Sequence, residues 1–187
     1  MNVRKRVEKR RTERMSNTSF RMMNWTFKLV DLFCPYIKKR IKKFGIQEGM
    51  TVVDYGCGPG RYSTEFAKLV GEEGKVYAVD IHELAIEAVK RRTEKMGLRN
   101  VEPILASGYD SGIPSNTADV VCAIDMFFVI KNPTEFLGEL KRIIKNDGTL
   151  VIDDGHQSRS VAKKKILDSG LWSIYEETSD HLKCKPS

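Results

Sequence analysis

Paired cysteines are missing from this chain. Its four cysteines, Cys34, Cys57, Cys122 and Cys184, are scattered through 187 residues with no metal-ligand spacing. Cys57 falls in a glycine turn and Cys122 in an apolar run, so a reduced, cytoplasmic protein is expected rather than a disulfide scaffold. Long hydrophobic runs are missing as well. The longest, Ala118 to Ile130, is broken by Asp119 and Asp125 and is too short to cross a bilayer. No apolar segment follows the basic N-terminus, which argues against a secretory signal. Internal repeats are absent, and the only biased stretch is basic.

The net charge of +7 is unevenly held. Residues 1–14 carry seven bases against Glu8 and Glu13, a surplus of +5, which leaves +2 for the remainder. A solvated arm over about 1–18 is the first reading, and a phosphate- or membrane-binding arm the second. The charge gives little support to a nucleic-acid-binding body.

What is present is organised around Val52-Val53-Asp54-Tyr55-Gly56-Cys57-Gly58-Pro59-Gly60-Arg61-Tyr62. A β-branched run ends in an acid, three glycines follow at alternate positions, and a helix with Tyr62, Phe66, Leu69 and Val70 on one face comes next. Glycines there tolerate unusual backbone angles and let a ligand touch the main chain. Upstream, Phe20, Met23, Phe27, Val30, Cys34, Ile37, Ile41 and Phe44 recur at helical spacing. Pro35 divides them into two helices, the second with Lys38, Lys39, Arg40, Lys42 and Lys43 on its outer side. This N-terminal cap is expected over 19–45.

Downstream, strands are expected at 51–54, 75–80, 101–106, 118–124 and 149–153, alternating with helices. Asn132-Pro133-Thr134-Glu135 reads as a capped helix start, and Asn146-Asp147-Gly148 as a turn. A closing antiparallel hairpin spans 171–178 and 181–185. Strand and helix alternating in this way imply an α/β sheet, mostly parallel and covered on both faces.

Asp80 ends the second strand about 20 residues beyond the last motif glycine, where an acid can accept from a ribose diol. A dinucleotide is the first candidate ligand, but that fingerprint wants glycine or alanine where Arg61 stands. Two acids at motif spacing beside three glycines favour a binding role over simple helix capping.

From about Ile46 onward the chain resembles the class I S-adenosylmethionine-dependent methyltransferases, and within them the small-molecule branch that includes quinone-biosynthesis enzymes. The resemblance rests on Val53–Gly60, Val79-Asp80, Ile113–Val121 and Leu140–Leu150, four motifs in order. It implies a Rossmann-like, doubly wound, seven-stranded sheet with the last strand antiparallel, over 46–187. It implies S-adenosylmethionine as methyl donor and S-adenosylhomocysteine as product. Main chain at Gly56, Cys57, Gly58 and Gly60 would pass close to the cofactor, Asp54 would face its ammonium, Asp80 its ribose and Ile81 its adenine. Ile124 and Asp125 would line the methionine portion. Ser107 stands where the family often has an acid that reads the adenine amino group.

A sulfonium methyl is already activated, so holding donor and acceptor in line is the main task of such a protein. His156, or Asp125, is the candidate base, with a solvated loop residue as the plain alternative for each. Asp125, Asp153 and Asp154 suggest magnesium, but no clear third ligand is visible, and no metal is assigned. Met22, Met23, Trp25, Phe33 and Tyr36, facing Phe127 and Phe128, would suit a small apolar or aromatic acceptor. The motifs of amino-group nucleic-acid enzymes, cytosine carbon methylation and arginine methylation are all absent. An RNA methyltransferase using the basic arm and a non-catalytic cofactor-binding protein remain the alternatives; the sequence does not reveal an oligomeric state.

Overall fold

The computed structural model describes residues 13–33 and 36–187, with side chains described for 13–27 and 36–187. Most of the expected basic arm, together with Cys34, Pro35 and the side chains of Val30 and Phe33, lies outside the described residues.

Two N-terminal helices, α1 (Asn17–Phe33) and α2 (Tyr36–Ile41), precede the alternating body. That body runs β1 (Thr51–Tyr55), α3 (Arg61–Val70), β2 (Lys75–Asp80), α4 (Glu83–Met96), β3 (Val101–Leu105), β4 (Ala118–Ala123), α5 (Pro133–Ile143), β5 (Ile144–Ile152), α6 (Arg159–Asp168), β6 (Trp172–Glu177) and β7 (Leu182–Pro186). The seven strands form one sheet in the order β3-β2-β1-β4-β5-β7-β6. Strands β1 to β5 pair in parallel, whereas β7 is antiparallel to both β5 and β6. The strand order reverses between β1 and β4, and ligands of open α/β sheets bind at the carboxyl ends beside such a reversal.

Val52, Val53, Val121, Cys122 and Val151 in the central strands are fully buried. This is why these strands read as continuous apolar runs rather than as alternating ones. Phe66 and Val70 of α3 pack one face of the sheet, and Phe136, Leu137 and Leu140 of α5 belong to the cluster on the other. Leu69, expected on the inner face of α3, is partly exposed instead. Ile37, Ile41 and Phe44 join the same cluster as Phe66, so α2 is part of the core.

Three local expectations change. Strand β5 starts at Ile144, not Thr149: Ile144 pairs with Ala118 and Thr149 with Val120, so residues 145–148 bulge out within the strand. Gly148 belongs there because a Cβ would lie 2.5 Å from Ile144 Cγ1. At the start of α5, Pro133 takes the first turn as expected, but Asn132 makes no side-chain cap bond. Its Nδ2 donates to Glu135 Oε2 at 2.8 Å.

The third concerns Arg40, which is not on the outer side of α2. Only 5% of it is exposed. Spaced with Ile37, Ile41 and Phe44, it lies on the inward stripe, and it finds partners there.

Candidate functional site at the carboxyl edge

The glycine turn after β1 is pinned to β2. The amides of Gly56 and Cys57 both donate to the Val79 carbonyl, at 2.8 and 3.0 Å, and the Gly60 amide donates to Cys57 O at 3.0 Å. Gly56, Gly58 and Gly60 all have positive φ, a region costly to residues with a Cβ. A Cβ at Gly58 would point into open space, one at Gly60 would reach Val89, and one at Gly56 would lie 2.8 Å from Met126 Cγ. The turn thus offers bare main chain at Gly58, while Met126 lies over Gly56.

Asp80 holds this turn from below. Its Oδ2 accepts the Gly58 amide and its Oδ1 the His82 amide, each at 2.9 Å. Burial raises its pKa, and these amides pull the other way. Asp54 is buried, and its Oδ2 accepts from Ser63 Oγ at 2.5 Å. Burial pushes its pKa up to about 7, Ser63 opposes the shift and Asp80 adds to it; no cation takes part. A buried carboxylate in that condition suits a cationic ligand group.

The remaining expected positions converge on the same edge. Ile81 follows Asp80 and packs at the margin of the core. Ile124, buried, and Asp125, exposed, follow β4. Ser107, after β3, is exposed and bridged through its main chain to Asp110. Cys57 is buried within the turn, and burial holds its thiol well above the usual range. His156 is exposed after β5 and stacks edge-on against Phe128 at 4.8 Å. Phe128 itself lies on Gly155, where a Cβ would come within 2.3 Å of its ring.

Sequence reasoning missed the polar cluster around Arg40. Its Nη2 donates to Asp153 Oδ2 at 2.6 Å and to the Asp180 carbonyl at 2.9 Å, and its Nη1 donates to Tyr62 Oη at 2.7 Å. Asp125 Oδ1 lies 3.5 Å away. The other oxygen of Asp153 accepts the Asp125 amide at 2.9 Å, which secures Asp125 in a left-handed conformation with φ 57°. Burial pushes Asp153 up to about 6, Arg40 opposes this and Asp125 adds to it. One arginine therefore ties α2, the start of α3, the β4 loop, the end of β5 and the β6–β7 turn together. The signal was available: positions 37, 40, 41 and 44 share one helical face.

The same contacts bear on the metal reading. Asp153 is committed to Arg40, and Asp154 accepts from Arg159 Nε at 2.6 and 2.7 Å. The three acids do not come together as a ligand set, and among the described residues no group of three potential ligands does.

The N-terminal segment covers the edge. Glu13 Oε1 accepts from Tyr109 Oη at 2.6 Å and from the Lys131 amide at 3.0 Å, and Arg14 pairs with Glu83. Phe20 is buried against the His82 ring at 4.7 Å, and the Arg61 guanidinium lies 4.3 Å from the Phe27 ring. His82 caps α4 through Nδ1, and burial, then Arg14, lower its pKa. The expected apolar wall differs from this arrangement: Met22 and Trp25 are exposed, while Phe127 is fully buried beside Phe136.

Known proteins share this architecture. The sequence profile of a family described as "Methyltransferase domain" matches residues 46–182. A "Ubiquinone/menaquinone biosynthesis C-methyltransferase UbiE" of Escherichia coli is 32% identical over 112 residues, 58% of this chain and 43% of that protein. The chain thus aligns with less than half the length of that relative. Among solved structures, a SAM-dependent methyltransferase from Aquifex aeolicus superimposes with a TM-score of 0.77 at 29% identity, covering 86% of this chain and 97% of the other. A coclaurine N-methyltransferase crystallised with N-methylheliamine and SAH gives 0.56 at 26% identity, over 63% of this chain and 34% of that one. With the family match spanning the whole sheet and the glycine turn at its reversal point, the chain belongs to the methyltransferase-domain family and has the class I S-adenosylmethionine-dependent fold.

Proposed function

We propose that the chain transfers a methyl group from S-adenosylmethionine to a small apolar or aromatic acceptor. The observation that carries this reading is the convergence of an uncovered glycine turn, two buried or half-buried acids and a lidding N-terminal segment on one sheet edge. The residues fit the cofactor: Asp54 is a buried acid without a cation, Gly58 presents open main chain, and Asp80 stands beside it.

When bound, the sulfonium supplies an activated methyl group, so the chain's own work is to bind, orient and exclude water. Asp54 balances the ammonium, main chain at Gly56, Cys57, Gly58 and Gly60 lies along the cofactor, and Asp80 accepts from the ribose. Ile81 packs on adenine, with Ser107 nearby; Ile124 and Asp125 line the methionine end. Asp125 is the group that takes a proton from an acceptor needing deprotonation, because Asp153 and Arg40 hold it at the edge of the site. His156 serves where the acceptor seats against Phe128.

The test is a radiolabelled-methyl screen of the full chain against pools of apolar and aromatic small molecules, with RNA as a parallel acceptor. Label in a small-molecule fraction supports the proposal, and label in RNA replaces it. Calorimetric binding of S-adenosylhomocysteine with no labelled product in any pool leaves a non-catalytic cofactor-binding protein.

A further inference from the structure

Helix α1 has two unlike faces. Phe20 and Phe27, about 20° apart around the helix, meet His82 and Arg61 at the sheet edge. Met22 and Trp25 lie about 200° and 140° around from Phe20, on the side turned away from the body. They are 68% and 63% exposed, and Met15, just before the helix, is 43% exposed. Apolar side chains scattered singly over a surface need no explanation, but long ones grouped on the outer face of a lid do.

The surrounding charge indicates what covers this face. From Arg14 to Val30 there is no acid, and Arg21 on α1 is exposed. The acid just before, Glu13, is occupied by Tyr109 and Lys131. The fourteen residues leading into the helix hold the +5 surplus. Tryptophan and methionine on one face, flanked by cations, is the pattern of a helix lying in the plane of an anionic membrane surface.

We propose that the outer face of α1, through Met22 and Trp25, docks on the surface of an anionic lipid bilayer, with the basic residues of 1–14 and Arg21 supplying the attraction. The lid over the cofactor edge would then be the part of the molecule against the membrane. The proposal does not depend on methyl transfer, and its test needs no acceptor.

The chain has two tryptophans, and they report separately. Trp172 is buried and donates from Nε1 to the Leu137 carbonyl at 3.1 Å, so a change in fluorescence comes from Trp25. The full-length chain is mixed with vesicles of phosphatidylcholine alone, or of phosphatidylcholine with about one-third phosphatidylglycerol, and followed by flotation and tryptophan emission. The expected result is flotation with the anionic vesicles, a blue shift of emission, and release in high salt, where surface charge is screened. Met22→Ser with Trp25→Ser should lower partitioning at least tenfold, while thermal unfolding and S-adenosylhomocysteine affinity stay at the parent values. Replacing Arg4, Lys5, Lys9 and Arg10 with glutamine should weaken binding and leave the emission of any bound fraction blue-shifted. Failure to float with either vesicle, or equal partitioning of the serine variant, overturns the proposal. So does a blue shift that grows with protein concentration without lipid, or one produced by an RNA oligonucleotide and not by vesicles.

Discussion

The guanidinium of Arg40 and the carboxylate of Asp153, 113 positions apart in the sequence, meet at 2.6 Å with 4% of each side chain exposed. Removing one partner of a buried pair strands the other charge, which typically costs about 3–5 kcal/mol. Arg40→Met should destabilise the chain by about that amount in urea denaturation. Adding Asp153→Asn to it should recover part of the loss, because the stranded carboxylate is then neutral. Equal losses in the single and double variants would show that the pair is not coupled.

Two carboxyls have raised folded-state pKa values: Asp153 at about 6 and Asp54 at about 7. Both bind a proton more tightly in the folded chain than in the unfolded one. Their stabilising contribution is complete below the unfolded value near 3.8 and is lost as pH rises through about 6 and about 7. The ligand-free chain should therefore lose stability between about pH 4 and pH 7, and Asp54→Asn should flatten the upper part of that fall. If Asp54 meets an ammonium, S-adenosylhomocysteine should bind more tightly as pH rises through about 7. Calorimetry in buffers of different ionisation enthalpy would detect the released proton.

Asp80 both braces the turn and faces the expected ribose. Asp80→Ala removes acceptors for the Gly58 and His82 amides, and should weaken S-adenosylhomocysteine binding at least tenfold, about 1.4 kcal/mol. Affinity within a factor of two of the parent would mean that the motif does not hold the cofactor.

Gly56→Ala meets two obstacles, a φ of 79° and Met126 at 2.8 Å. Left-handed backbone costs a non-glycine residue about 1–2 kcal/mol. Adding Met126→Ala should relieve the contact but not the backbone cost, so the double variant should regain only part of the lost thermal stability.

Removing residues 1–33 takes away the Glu13, Arg14 and Phe20 contacts but leaves Ile37, Arg40, Ile41 and Phe44 in place. This truncation should fold and bind S-adenosylhomocysteine with a dissociation rate raised at least several-fold, and should lose methyl transfer. Stopped-flow dissociation and the label assay would measure these effects. An unchanged dissociation rate would mean that the segment is not a lid.

Much of this protein was legible without coordinates. The buried strands are nearly pure β-branched runs, and the helices carry their apolar residues at fixed spacing, so Lys75–Asp80 and Glu83–Met96 could be bounded to the residue. The glycine turn and Asp80 were equally plain, because backbone geometry at φ near +80° and a carboxylate at a strand end leave few choices of residue type. The bulge at 145–148 was less visible, since Asn146-Asp147-Gly148 has the composition of an ordinary turn, and only pairing with β4 shows that the strand begins before it.

Arg40 marks the boundary between the two sources of information. Local spacing put it on the inward side of α2, but charge and its lysine neighbours pointed outward. Local sequence contains no term for Asp153, Tyr62 or the Asp180 carbonyl, which lie 113, 22 and 140 positions away. The sequence by itself determined the strands, the helices and the turn that binds, because those depend on periodicity and backbone geometry within a few residues. Tertiary structure alone decided which way α1 and Arg40 face, because a buried charge is tolerable only where distant chain segments bring it partners.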